Sequence, residues 1–565
     1  MAGRFPSIHA PRRSVSENGI ESTRSLSNEA KSPLLRTPTY SRPLEDEEHD
    51  ALQRLRRGIV QIFVSSVENL WEQPWAKDVP SSCTGSGFVI STERRLIITN
   101  AHVVKFASTL QVRKDGDFDK HEARVIAVAH QVDLAILTVQ EAVFWEGAVA
   151  LPLGDDPRLQ QHIDVVGYPM GGSGVSITSG VVSRIDWNDY SHSQESNLCV
   201  TVDAAINSGN SGGPAISLGK VTGVSFQSYA GSADSIGFII PNTVLGLVLK
   251  DFDEAERLAV SEAATVSSAA VTGGNDASTS SLTYPTLTLK GFASFAPQWQ
   301  RMESEALRGS VGLPAGVSGV LVYKIPHVSN LHGVFEDGDV LISVDGEMIS
   351  NDGRIQRKKS SPIDFRVAVT MKIVGDPLKY GVFRRGEVKY FDSVAERIAE
   401  LVPKTWFGAT TYCIFAGLVF VPVSKAGEES RKMFSRESVN KYTMAGRQHE
   451  RVDQQVCVLI TILPHPLLLG YEDDEFTTYE PLISVDGFQI VCIADIFHCC
   501  KRSPGPYTIF MFSSGRRIVL PTEKARKATV ELMKEHRIKH EASADVIASE
   551  KISKLERFGY ILKNQ

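Results

Sequence analysis

The sequence predicts a mostly β protein: an antiparallel barrel or sandwich domain followed by two smaller modules of related design. Three observations carry that expectation. From about 55 to 245, short apolar runs alternate with Gly, Asn, Asp and Pro, the spacing of an all-β domain. Residues 254–284 are dominated by Ala, Ser, Thr and Gly, a linker composition. Beyond them, VLISVDGEMI at 340–349 returns as PLISVDGFQI at 481–490. Asp-Gly between apolar strands marks a hairpin, so the same strand–turn–strand unit is expected twice. A chain of 565 residues accommodates about three or four domains.

The elements follow in chain order. Residues 1–50 are rich in Ser, Pro and Arg and end in EDEEHD, a composition that cannot bury a core and reads as a disordered or targeting tail. Arg4, Arg12 and Arg13, with no acid among the first sixteen residues, fit an organellar transit peptide. Pro6 and Pro11 interrupt an amphipathic helix there, and KSPLL and RTPTY fit phosphorylation of a tail equally well. The N-terminus has no compact apolar stretch of the secretory kind, and seven scattered cysteines suit a reducing compartment. An intracellular, non-secreted protein is expected, with nucleus or cytoplasm placed ahead of mitochondrion or plastid.

Residues 51–252 form the β domain. Its strands are read from GIVQIFVSSV, GSGFVIS, RLIITNAHVV, ARVIAVA, DLAILTV, HIDVVGYP, ITSGVVSRI, LCVTVDA, VTGVSFQ and SIGFIIP, and PNTVLGLVLKDF from Pro241 reads as a closing helix. The linker is set at 253–284, the first module at 285–398, the second at 399–545 and a C-terminal tail at 546–565. CIFAGLVFVPV at 413–423 and VCVLITILPHPLLLG at 456–470 are too short, or broken by proline, to span a bilayer, and suit buried strands. ATVELMKEHRI from Ala528 closes the second module as an amphipathic helix.

Composition excludes several functions. A net charge of −6 offers no basic face for nucleic acid, and Lys524, Arg526, Lys527, Lys534, Arg537 and Lys539 lie at the helical spacing of a solvated face. No G-x4-G-K-[ST] loop suggests ATP use. His498-Cys499-Cys500 with Cys492 upstream lacks the paired ligand spacing of a zinc site. No cofactor or metal is expected.

Chemistry centres on DAAINSGNSGGPAI at 203–216. Ser211 among small residues is either part of a turn or a nucleophile approached by backbone N–H groups. A serine nucleophile needs an imidazole, and the imidazole a carboxylate. His102 stands at the end of one apolar strand and Asp133 at the start of another, with His130 also nearby. GNSGG also fits the G-x-S-x-G elbow of α/β hydrolases. That fold needs a helix after the serine and a histidine further on, whereas Gly212, Gly213 and Pro214 oppose a helix and the next histidine is His327.

TNAHVV, DLAIL and GNSGGP, in the order His, Asp, Ser, resemble the HtrA/Deg (Do-like) serine proteases, and GSGFVIS and SIGFIIP match their flanking strands. ISNDGRIQ at 349–356, YCIFAGLVFVPVSK at 412–425, GYEDDEF at 470–476 and ATVELMKEHRI resemble the plant-type Deg branch with two C-terminal modules. The resemblance implies a chymotrypsin-like double β-barrel protease domain followed by two PDZ-like α+β modules. It implies an ATP-independent serine endopeptidase acting on misfolded or selected proteins, assembled as a homotrimer or multiple of trimers. Ser211 would attack the scissile carbonyl, His102 serve as general base and then acid, and Asp133 orient it. N–H groups of Gly209 and Ser211, with Asn210 between them, would form the oxyanion hole. Ala205, six residues before the nucleophile, would floor the S1 pocket, implying small or medium apolar P1 residues. Gly291-Phe292 and Gly417-Leu418-Val419-Phe420 are the candidate carboxylate-binding loops of the PDZ-like modules, the first taking peptide C-termini or internal segments. A protease-fold chaperone or PDZ scaffold that does not depend on cleavage is the alternative.

Overall fold

The computed structural model describes residues 54–169, 172, 174–228, 236–269, 286–357, 361–398, 401–403, 410–424, 454–471 and 480–552. The N-terminal tail, the second half of the linker and most of GYEDDEF lie outside them.

Among the described residues, twelve strands build the β domain: β1 (Ile59–Ser66), β2 (Ser81–Ser91), β3 (Leu96–Thr99), β4 (Ala107–Lys114), β5 (His121–Ala129), β6 (Leu134–Val139), β7 (His162–Gly167), β8 (Ser176–Tyr190), β9 (Glu195–Val202), β10 (Pro214–Ser217), β11 (Lys220–Ser228) and β12 (Gly237–Pro241). They close into two barrels, in the orders β1-β2-β3-β6-β5-β4 and β10-β11-β12-β9-β8-β7. Closure leaves no sheet edge exposed. Val60, Ile62, Val89, Ile97 and Leu137 fill the first barrel, and Val165, Val182, Val200, Ala215 and Ile239 the second. Every apolar run quoted above contributes a strand. Two strands come from outside those runs. β4 (ASTLQVRK) is half exposed and largely polar, and β10 is four residues long behind Gly212-Gly213.

The closing helix begins at Asn242 and runs to Ala269, well into the stretch whose composition reads as a linker. EAERLAVSEAA is rich in Ala, Glu, Leu and Arg and free of Gly and Pro, so nothing stops the helix from propagating. No described helix is long and apolar enough to cross a membrane.

The repeated sequence folds as the repeated hairpin. Val340–Val344 pairs with Glu347–Met348, and Leu482–Val485 with Phe488–Gln489. In each turn Asp and Gly are both left-handed, φ 48° and 81° at Asp345-Gly346 and 52° and 82° at Asp486-Gly487, the backbone that matches strand twist. Each Asp accepts the same bond, from Lys379 N at 2.8 Å and from Ile509 N at 2.7 Å.

Candidate active site

His102, Asp133 and Ser211 arrive by different routes. β3 ends at Thr99, and Asn100-Ala101 turn the chain so that His102 follows the strand. Asp133 closes a 3-10 turn over His130–Val132 and adopts φ 52°, ψ 42° just before β6, a conformation that Asp tolerates better than most residues. That turn is tied to the first: Asp133 O accepts from Ala101 N at 3.2 Å and from Asn100 Nδ2 at 2.8 Å. The fully buried Asp133 carboxylate accepts the His102 backbone N–H at 2.8 Å, and its other oxygen lies 2.7 Å from His102 Nδ1. An Nδ1–H donated to a carboxylate leaves Nε2 as the ring nitrogen that accepts a proton.

Ser211 sits at the junction of the two barrels. Its turn is strapped by Ser86 of β2: Ser86 N donates to Ser211 O at 2.9 Å, Ser86 Oγ donates to Gly209 O at 2.6 Å, and Tyr168 N donates to Ser86 Oγ at 2.8 Å. Gly212 has φ +84°, and a Cβ there would stand 2.2 Å from Ser86 O; one on Gly213 would stand 2.1 Å from Val166 O. The glycines are therefore demanded by contact with both barrels. Gly209, at φ 100°, and Ser211 have backbone N–H groups with no acceptor among the described residues. Ser211 Oγ donates to Phe226 O over 3.4 Å rather than to His102. Asn210 is buried, its carbonyl accepting Gly213 N and Ser225 Oγ. Ser86 escaped the sequence reading because a serine inside a strand motif carries no signal of its own.

A trypsin-like peptidase domain model matches residues 85–224 and a PDZ domain model residues 402–545. The putative mitochondrial protease Do-like 3 of Arabidopsis thaliana is 33% identical over 502 residues, covering 88% of this chain and 81% of its own. The chain belongs to the Do-like serine proteases. Protease Do-like 2, chloroplastic, of the same plant is 32% identical over 506 residues, 88% of this chain and 76% of its own. Among solved structures, the HtrA-type protease AlgW with decapeptide is 19% identical, covers 62% of this chain and 98% of its own, and has a TM-score of 0.43.

In this Do-like protease, Ala205 lies half-buried between Ala204 and Ile206, and its carbonyl accepts Thr178 Oγ1 at 2.8 Å. Residues 229–235, which follow β11, fall outside the described set. Neither peptide-binding candidate reaches an open sheet edge, and both expectations need correction. Gly291 N donates to the buried Asp251 carboxylate of the closing helix at 2.8 Å, with Lys290 N on its other oxygen at 3.2 Å. Phe292 is packed in the core and bridges Ile373. Those N–H groups are spent on an internal carboxylate. The edges of the first module's sheet are instead Gln298–Arg301 and Glu387–Val394. In the second module, Leu418, Val419 and Phe420 are fully buried in a strand paired on both sides. Gly417 O is taken by Leu463 N. A central strand cannot accept an added peptide strand.

Proposed function

We propose that Ser211 is the acyl-forming nucleophile of this serine protease, His102 its general base and acid, and Asp133 the carboxylate that orients the imidazole. The observation that carries this is the 2.7 Å contact of His102 Nδ1 with the buried Asp133, beside a serine turn whose Gly209 and Ser211 N–H groups are unpaired among the described residues. Rotation of Ser211 Oγ from Phe226 O to His102 Nε2 completes the proton path. Attack on the scissile carbonyl then places the oxyanion at Gly209 N and Ser211 N, worth about 3 kcal/mol per donor. His102 passes the proton to the leaving amine, and water repeats the sequence to release the acyl group.

Ala205 supplies no acid to pair with a basic P1 side chain, so small or medium apolar P1 residues are the preferred class. A peptide-library profile with equal or better cleavage after Lys would refute that preference. In the first PDZ-like module, the proposed peptide-binding edge is Gln298–Arg301, where an extended segment of an unfolded or selected protein adds as a strand. The working assembly is a homotrimer or a multiple of it, checked by analytical ultracentrifugation. With relatives named mitochondrial and chloroplastic, an organelle is the location proposed, with the arginines of residues 1–48 in a targeting role. Imaging the full chain against one lacking those residues tests this. Incubation with unfolded casein tests the central reading: the wild type fragments it and Ser211→Ala does not. An intact substrate in both, with no fluorophosphonate bound at Ser211, overturns it.

A further inference from the structure

Two histidines outside the proposed triad stand in a row with it. His130 opens the 3-10 turn that delivers Asp133, and His192 lies in the turn between β8 and β9. His130 Nδ1 and His192 Nε2 are 2.9 Å apart, with ring centroids 5.2 Å apart. The ring of His192 lies 6.3 Å from that of His102. The turn is held to the second barrel's hairpin by Asn197 Nδ2, which donates to Gln131 O at 3.1 Å.

His192 is 7% exposed. The charged and titratable groups facing it are Asp133, His130, His102 and Lys105. Burial pushes His130 down to about 4 and His192 down to about 3, against the opposing pull of Asp133. Both rings are therefore neutral in the range where an imidazole base works. A neutral ring beside His102 excludes water without adding a like charge to oppose the imidazolium.

We infer that His192 is a positioning residue for the proposed general base. Its ring is pinned by His130 and carried by the second barrel, and it holds His102 in line between Asp133 and Ser211. This rests on the reading of His102 as the base. The hairpin of one barrel thereby sets the orientation of a side chain belonging to the other.

The test compares full-length wild type, His192→Ala and His192→Phe on a quenched-fluorescent peptide with Val at P1, together with the rate of fluorophosphonate reaction at Ser211. His192→Ala is expected to lower kcat and the labelling rate about tenfold or more with KM nearly unchanged, as misplacement of a reacting group does. His192→Phe restores the ring and most of both rates, and thermal melts show whether either variant is simply less folded. Unchanged rates in a folded His192→Ala, or equal losses in Ala and Phe, overturn the inference. A wild type that neither cleaves nor labels refutes the protease reading instead. The proton on His102 Nδ1 then decides the positioning claim without chemistry. Its downfield NMR signal, expected from donation to a carboxylate, should weaken in His192→Ala and persist in His192→Phe; equal signals in all three refute it.

Discussion

The two barrels hold their shares of the proposed machinery differently. The first carries His102 and Asp133 on turns that are bonded to each other, with both carboxylate oxygens and the Asp133 carbonyl engaged by residues 100–102. The second carries Ser211 on a turn whose backbone is fixed across the junction by Ser86, while its hydroxyl makes one long bond to Phe226 O. Contacts within the first barrel hold the Asp133–His102 pair, with His192 of the second barrel beside the imidazole. The nucleophile is positioned by the junction, and its hydroxyl is left to be aligned.

Substitutions at the two halves sharpen this contrast. Ser211→Ala should lower peptide hydrolysis by roughly 10⁶-fold while leaving the backbone bonds, and hence the melting temperature, unchanged. Asp133→Asn should cost roughly 10⁴-fold in kcat, because the amide favours the wrong imidazole tautomer. Steady-state kinetics on one peptide measure both, and a loss under tenfold in Asp133→Asn would mean that the first barrel does not hold the base.

The junction has its own pH dependence. His130 and His192 bind protons in the folded state only near 4 and 3, against an ordinary value of 6.5. An unfolded chain takes up those protons at higher pH, so their contribution to stability is complete above about 6.5 and is lost as pH falls towards 4. Thermal melts from pH 7 to 4 should show the decline, with a shallower slope in His192→Phe. Ser86→Ala is a smaller perturbation. It deprives Gly209 O and Tyr168 N of one buried hydroxyl, at a cost of about 1–3 kcal/mol. Looser placement of Gly209 should lower kcat more than it raises KM. Equal kinetics in a folded variant would show that the turn keeps its shape without the strap.

The sequence made the order His102, Asp133, Ser211 legible because His102 and Asp133 punctuate strong apolar strands and Ser211 stands in the small-residue run GNSGGP, and the strands themselves follow from β-branched runs. What stayed hidden depends on tertiary contact. β4 is polar on its outward side, so its alternation is weak, and Ser86 and His192 gain their roles only from residues distant in the chain. Glycine misled in the opposite direction. Gly291 and Gly417 look like binding-loop residues, yet each has a positive φ inside a packed hairpin or domain contact. A motif reports the backbone conformation, while its free N–H groups depend on what packs against it.

The repeated hairpins offer the finest test, since here two regions agree where the barrels differ. Gly346 and Gly487 share a φ near 81° and 82°, and an added Cβ would meet nothing within 4 Å at either. Alanine should therefore cost only the left-handed backbone penalty, about 1 kcal/mol at each site. The amides to watch are Lys379 and Ile509, which donate to the turn aspartates Asp345 and Asp486. Hydrogen exchange at each should accelerate by roughly fivefold in the matching variant and stay unchanged in the other module. A much larger effect at Gly487 would mean that the second hairpin bears a load the first does not, and that the sequence repeat preserves a shape without preserving its role.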